Sequence, residues 1–277
     1  MKALILLCLL LTVTGSEYFG ENLQAREMPL RKSTESIAKV PPAAVNKNEE
    51  EGGWNLVWND EFHSEASLIK WTPQNWPSEK NGEWQYYLPE NIDVRDDLLV
   101  ISSRKEPYKG RSYTSGAVTT ENKFEFTYGK IEIRAKLPKG RGIFPAFWLV
   151  NSDEDWLPEI DIMENIGQNP KELYFVVHWK DENGKQRRDY SQLTSETDFS
   201  EGFHVYGIIW EPGRIVWTVD GKPIFKTEKY SPDTPLYLYL NTAVGGNWPG
   251  PPDPQEDYPK ELLIDYVRVY QQGGKAQ

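Results

Sequence analysis

From Leu98 to Tyr270, short β-patterned runs follow one another, each closed by turn residues, and no helical periodicity lasts beyond about two turns. That succession constrains the fold more than anything else in the chain. The predicted strands are Leu98–Arg104, Gly116–Glu121, Lys130–Leu137, Phe144–Val150, Leu173–Lys180, Val205–Glu211, Ile215–Asp220, Leu236–Thr242 and Leu262–Tyr270. Ile131-Glu-Ile-Arg-Ala-Lys-Leu137 alternates apolar and polar side chains, as a half-buried strand does. Asn183-Gly184 and Asp220-Gly221 predict hairpins, because both positions of such turns favour residues that tolerate positive φ. About a dozen strands without helices predict an all-β jelly-roll sandwich of two packed antiparallel sheets.

All eleven tryptophans lie from Trp54 onward, so the folded domain is expected to begin there, as a single unit over residues 53–271. Residues 17–52 are rich in charge, Pro, Ala and Asn and read as a flexible linker, and residues 272–277 as a tail. Residues 1–16 carry Lys2, an apolar run from Ala3 to Val13, then Thr14-Gly15-Ser16. That is the order of a secretory signal, too short to span a bilayer, so a secreted chain is expected. Cys8, the only cysteine, lies inside this leader and leaves the mature chain without thiol or disulfide chemistry.

The formal charge is −11, which speaks against nucleic acid and against strongly acidic polymers as partners. A neutral ligand fits the balance. Tryptophan rings fill cores, and they also offer flat platforms for sugar faces. Three histidines and no mature cysteine speak against a catalytic zinc or copper site.

Glu159-Ile-Asp-Ile-Met-Glu164 is the most informative segment. In a strand, Glu159 and Asp161 share one face while Ile160 and Ile162 share the other. Glu164 falls on the wrong face unless one extra residue near Met163, a β-bulge, returns it to the acidic side. Two glutamates leaning together there would bring their carboxyl groups to roughly 5 Å, the separation of a retaining glycosidase. Crowded acids repel, and their pKa values split, as an acid and a nucleophile require. Taken alone, the motif is equally compatible with a solvated acidic strand face.

The surrounding segments resemble glycoside hydrolase family 16, and within it laminarinase-like endo-β-1,3-glucanases. They are Trp58-Asn-Asp-Glu-Phe62, Tyr128-Gly-Lys-Ile-Glu-Ile-Arg134, Phe144-Pro-Ala-Phe-Trp-Leu149, Asn241-Thr-Ala-Val-Gly-Gly-Asn-Trp-Pro-Gly250 and Ile264-Asp-Tyr-Val-Arg-Val-Tyr270. The resemblance implies a concanavalin A-like jelly roll whose concave sheet forms an open cleft. It implies Glu159 as nucleophile, Glu164 as acid/base and Asp161 as the residue that orients Glu159. It implies sugar contacts from Arg104, Trp148, Trp156, His178, Asn247 and Trp248. For Arg104 an ordinary ion pair stays open, and for His178 a structural hydrogen bond. No cofactor is implied for catalysis. A structural calcium at Glu61, the Gly129 carbonyl and Asp265 is implied, and a monomer acting on a polysaccharide. Phe144 and Pro158 depart from the family's usual tryptophan and glycine. The alternatives left open are a hydrolase of another polysaccharide such as a galactan, a transglycosylase, and a non-catalytic glucan-binding protein.

Overall fold

The computed structural model describes residues 53–151 and 156–273. The signal, the linker and residues 274–277 of the tail lie outside them. Two large sheets carry the fold, with strands numbered in chain order. In the first, the order is β17 (Lys222–Thr227), β16 (Arg214–Val219), β15 (His204–Glu211), β10 (Gly129–Lys136), β19 (Lys260–Gln272), β6 (Leu98–Ser103) and β5 (Ile92–Arg95). β1 (Trp54–Asp60) also pairs with β19.

In the second, the order is β14 (Gln186–Thr194), β13 (Glu172–Lys180), β12 (Glu159–Glu164), β11 (Ile143–Val150), β18 (Leu236–Val244), β8 (Ala117–Thr119) and β2 (Thr72–Pro73), with β9 (Glu125–Phe126) also on β18. A small third sheet joins β3 (Trp76–Pro77), β4 (Gln85–Tyr87) and β7 (Tyr113–Ser115). Helix among the described residues is limited to three short 3₁₀ segments, and none is long and apolar enough to cross a membrane. Every predicted strand is present and all large-sheet pairings are antiparallel, which makes the chain an all-β jelly roll.

The core lies between the two sheets. From β10 it takes Ile131, Ile133 and Ala135 while Lys130, Glu132 and Arg134 stay half-buried, the alternation expected of that segment. From the second sheet it takes Phe147, Leu149, Ile160, Ile162, Phe175, Val177, Leu238 and Leu240. The residues between these, on β11 to β13 and β18, therefore face the sheet's outer side.

Of the two hairpins, Asp220-Gly221 has positive φ at both residues (50° and 73°) and joins β16 to β17. At 183–184 only Gly184 has positive φ (73°), and Asp181 N–H reaches the Lys185 carbonyl. The Asp181–Lys185 pair encloses three residues, one more than a two-residue hairpin, and the glycine alone takes positive φ, which corrects the expectation for Asn183.

Sequence patterning missed β14 because it is polar and exposed along most of its length. The implied calcium set is also corrected. Both Glu61 oxygens accept from Arg268, at 2.9 and 2.8 Å. Asp265 is held by Arg134. Lys130, the neighbour of Gly129, pairs with Tyr270. That is five residues along β19 from Asp265, about 16 Å at strand rise. The three groups do not converge on one ion.

Candidate active site

The bulge forms where the acid spacing requires it. Ala146 pairs with Glu164 and Phe147 with Met163, but Trp148 pairs with Asp161, so Ile162 is the extra residue. Against β13 the same slip appears, with Asp161 opposite Val176 and Glu164 opposite Tyr174. Ile160, Ile162 and Met163 are all fully buried in the core, and Glu159, Asp161 and Glu164 are left on the outer face. Trp217, fully buried on β16 of the opposite sheet, donates its indole N–H to the Asp161 carbonyl at 2.8 Å. A carbonyl at the bulge thus gains a partner from across the core.

Register then sets the neighbours. Glu159 is opposite His178, whose Nε2 lies 3.8 Å from Glu159 Oε1 and 3.4 Å from Asp161 Oδ2. Asp161 is buried, and its Oδ2 has no hydrogen-bond donor. Burial pushes Glu159 up to about 8, with the Asp161 charge adding to the rise while His178 and Lys80 oppose it. Burial likewise lifts Asp161 above the usual carboxylate range. Glu164 is raised well above it, by burial first and then by Asp161, with His178 and Arg188 opposing. Three such acids cannot all ionise together at neutral pH, so the group shares protons. Glu159, Asp161 and His178, whose ligand atoms lie within 4.8 Å of one another, also form the one cluster of metal-binding type among the described residues. It is the acid group itself.

An aromatic wall stands beside the acids on β11 and β18. Trp148 stacks on Tyr239 at 4.4 Å and on Trp156 at 5.4 Å. Its indole N–H donates to Asn241 Oδ1 at 2.8 Å, and Asn241 in turn donates to the Tyr87 hydroxyl at 3.0 Å. The Lys80 ammonium sits 3.3 Å from the centre of the Trp156 ring, so that ring is shared with a cation. Pro158 directly precedes β12, a position where its missing N–H does not break the ladder. Trp248 packs edge-on against Phe144 (5.2 Å) and Tyr174 (4.7 Å), and Tyr174 is the register partner of Glu164. Asn247 is exposed, its N–H bonded to the Asn81 carbonyl at 2.7 Å.

The structure therefore gathers Glu159, Asp161, Glu164, Trp148, Trp156, His178 and Trp248 around one stretch of sheet. Arg104 is exposed past the end of β6, in a backbone bridge with Thr114. Sequence reasoning missed Lys80, Tyr239, Asn241, Arg188 and Tyr190. Tyr237 and Tyr239 alternate with Leu236, Leu238 and Leu240, a period-two signal that places the tyrosines on the face away from the core. Arg188 and Tyr190 lie opposite His178 and Val176, hence on the acids' face, but their strand carries no such pattern.

Residues 67–268 match the family described as Glycosyl hydrolases family 16. The chain is 39% identical over 251 residues to a Beta-glucanase of Rhodothermus marinus, across 78% of this chain and 85% of that protein. It is 33% identical over 262 residues to Glucan endo-1,3-beta-glucosidase A1 of Niallia circulans, across 79% of this chain and only 38% of that longer protein. The crystal structure of the laminarinase catalytic domain from Thermotoga maritima superposes with a TM-score of 0.72 at 38% identity, covering 80% of this chain and 99% of that one.

Proposed function

The chain belongs to glycosyl hydrolase family 16 and is a glycosidase, and from that premise we propose that it cuts β-glucan chains internally at β-1,3 linkages, with retention. Glu159 is the nucleophile and Glu164 the acid/base. The bulge at Ile162 carries this reading, because it sets both glutamates on one face beside a wall of aromatic rings. Relatives named as glucanases and laminarinases, together with the acidic net charge, support a neutral glucan as substrate.

The chemistry runs in two displacements. The Glu159 carboxylate attacks the anomeric carbon as the glycosidic C–O bond breaks, and Glu164 gives its proton to the departing oxygen. Glu164, now ionised, takes a proton from water, whose oxygen attacks the same carbon and releases Glu159. The electrostatics support this order. Lys80 favours ionised Glu159, whereas Glu164, beside the charges of Asp161 and Glu159, is raised well above its usual range. Asp161, buried between them and lacking a donor on Oδ2, is suited to share its proton with Glu159.

The test is reducing-end release from laminarin, barley β-glucan, agarose and carrageenan, with azide rescue of two variants. In Glu159→Ala, azide replaces the carboxylate and yields an α-glycosyl azide. In Glu164→Ala, azide attacks the glycosyl-enzyme and yields the β-azide. Interchanged products overturn the roles, and cleavage of a galactan alone overturns the substrate. Export from the cell completes the proposal on the order of residues 1–16. A secreted form that still begins at Met1, or no secreted form at all, overturns that part.

A further inference from the structure

Trp84 is the only exposed tryptophan among the described residues, 42% accessible, although it sits in a well-packed setting. Its backbone N–H donates to the Val244 carbonyl at 2.8 Å. Its ring lies against Gly245 (φ 70°), where a Cβ would come within 2.7 Å of the indole. One ring face is thereby seated on backbone, and Tyr113, itself buried, stands 6.4 Å away at 45°. Opposite runs the segment 251–254, with three prolines. Pro252 is buried against Gly142 (φ 76°), where a Cβ would meet it at 2.6 Å, and the Pro254 carbonyl accepts from Lys105 at 2.6 Å. Trp84, Tyr113, Arg141 and the 251–254 segment line an open recess of about 430 Å³. Its polar groups are the exposed Arg141 side chain and Asp253, one of whose oxygens is taken by the Gln255 N–H.

We propose that this recess is a second sugar-binding site, separate from the acid groove, that holds a glucosyl unit of the polysaccharide chain. It rests on the polysaccharide reading above. The indole takes the apolar C–H face of the ring, and Arg141 and Asp253 offer a donor fork and an acceptor to its hydroxyls. Stiff walls suit the task, because little ordering is needed on binding. Asn241 on β18 is level with Glu164 through Ala146, and Gly245 lies four residues further along. At strand rise that is about 13 Å, too far for Trp84 to touch a sugar held at the acids. The site anchors a long or insoluble glucan and leaves short soluble substrates unaffected.

The experiment measures retention of the full chain carrying Glu159→Gln on particles of insoluble linear β-1,3-glucan, with and without Trp84→Ala. Loss of one stacking contact is expected to lower retention about five- to tenfold, with Trp84→Phe recovering most of it. With the acids intact, Trp84→Ala is expected to hydrolyse soluble laminari-oligosaccharides at the parent rate. Equal retention with and without Trp84, or no retention of the parent, overturns the site. So does a parallel fall in oligosaccharide hydrolysis by a folded Trp84→Ala, which would put Trp84 in the groove. If the Glu159→Gln chain binds particles through Trp84 yet the chain with its acids intact cleaves no β-glucan, the β-glucanase reading fails and the site stands.

Discussion

Glu159 and His178 are register partners on β12 and β13, and the His178 Nε2 lies between Glu159 and Asp161, at 3.8 and 3.4 Å. His178, in its protonated form, lowers the pKa of Glu159 and of Glu164 alike. Its removal favours the neutral form of both acids. His178→Gln is therefore expected to move both limbs of the bell-shaped kcat/KM profile to higher pH and to lower the maximum about ten- to a hundredfold. A profile unchanged in position, even if lower, means that His178 only packs.

Lys80 acts on one acid. Its charge lowers Glu159 and is absent among the influences on Glu164. Lys80→Met is expected to raise only the acid limb, which reports ionisation of the nucleophile. If the basic limb moves instead, the roles of the two glutamates are reversed. Steady-state rates on laminarin across the pH range decide this.

Arg188 is the complement. It lowers Glu164 and is absent among the influences on Glu159. Arg188→Met is expected to move the basic limb upward and leave the acid limb in place. The shift is expected to shrink at high salt, because Arg188 is exposed and its field is screened.

Raised carboxyl pKa values also bear on stability. The unfolded chain ionises Glu159 near its ordinary value, whereas the folded chain holds the proton to about 8. Below the unfolded value both states are protonated and nothing is lost. As pH rises between the two values the folded state binds more protons, so stability falls and then levels off. Glu159→Gln removes this penalty. It is expected to stabilise the fold by roughly 1–3 kcal/mol at pH 8 and by almost nothing at pH 4, with activity abolished. Thermal melts at both pH values check it, and equal shifts at the two would refute the burial argument.

Trp217 holds the bulge from the other sheet through its 2.8 Å bond to the Asp161 carbonyl. Trp217→Phe keeps an aromatic ring but leaves that buried carbonyl without its donor, at a cost of about 1–3 kcal/mol on top of the lost ring volume. Because the carbonyl belongs to the acid strand, kcat is expected to fall while the KM for laminarin stays near the parent value. Unchanged kcat in a destabilised but folded protein would confine Trp217 to the core.

What could be read from the sequence was what depends on near neighbours along the chain. Alternation in Ile131–Leu137 is a local pattern, because successive strand side chains must point to opposite faces, and it specified β10. The five-residue spacing from Glu159 to Glu164 demanded a bulge for the same reason, and the bulge lies within one residue of its expected place. β14 escaped because an exposed edge strand buries neither face and so carries no alternation.

The rest was decided by which elements stack on which. Trp217 is 56 residues from Asp161, and nothing near it in sequence marks it as the donor to that carbonyl. Lys80 reaches the Trp156 ring, and Glu61 meets Arg268 rather than an ion, only because separate strands and loops converge there. Side-chain periodicity is a property of a strand. The field around three crowded acids is a property of the packed sandwich, because charges distant in sequence contribute to it through space.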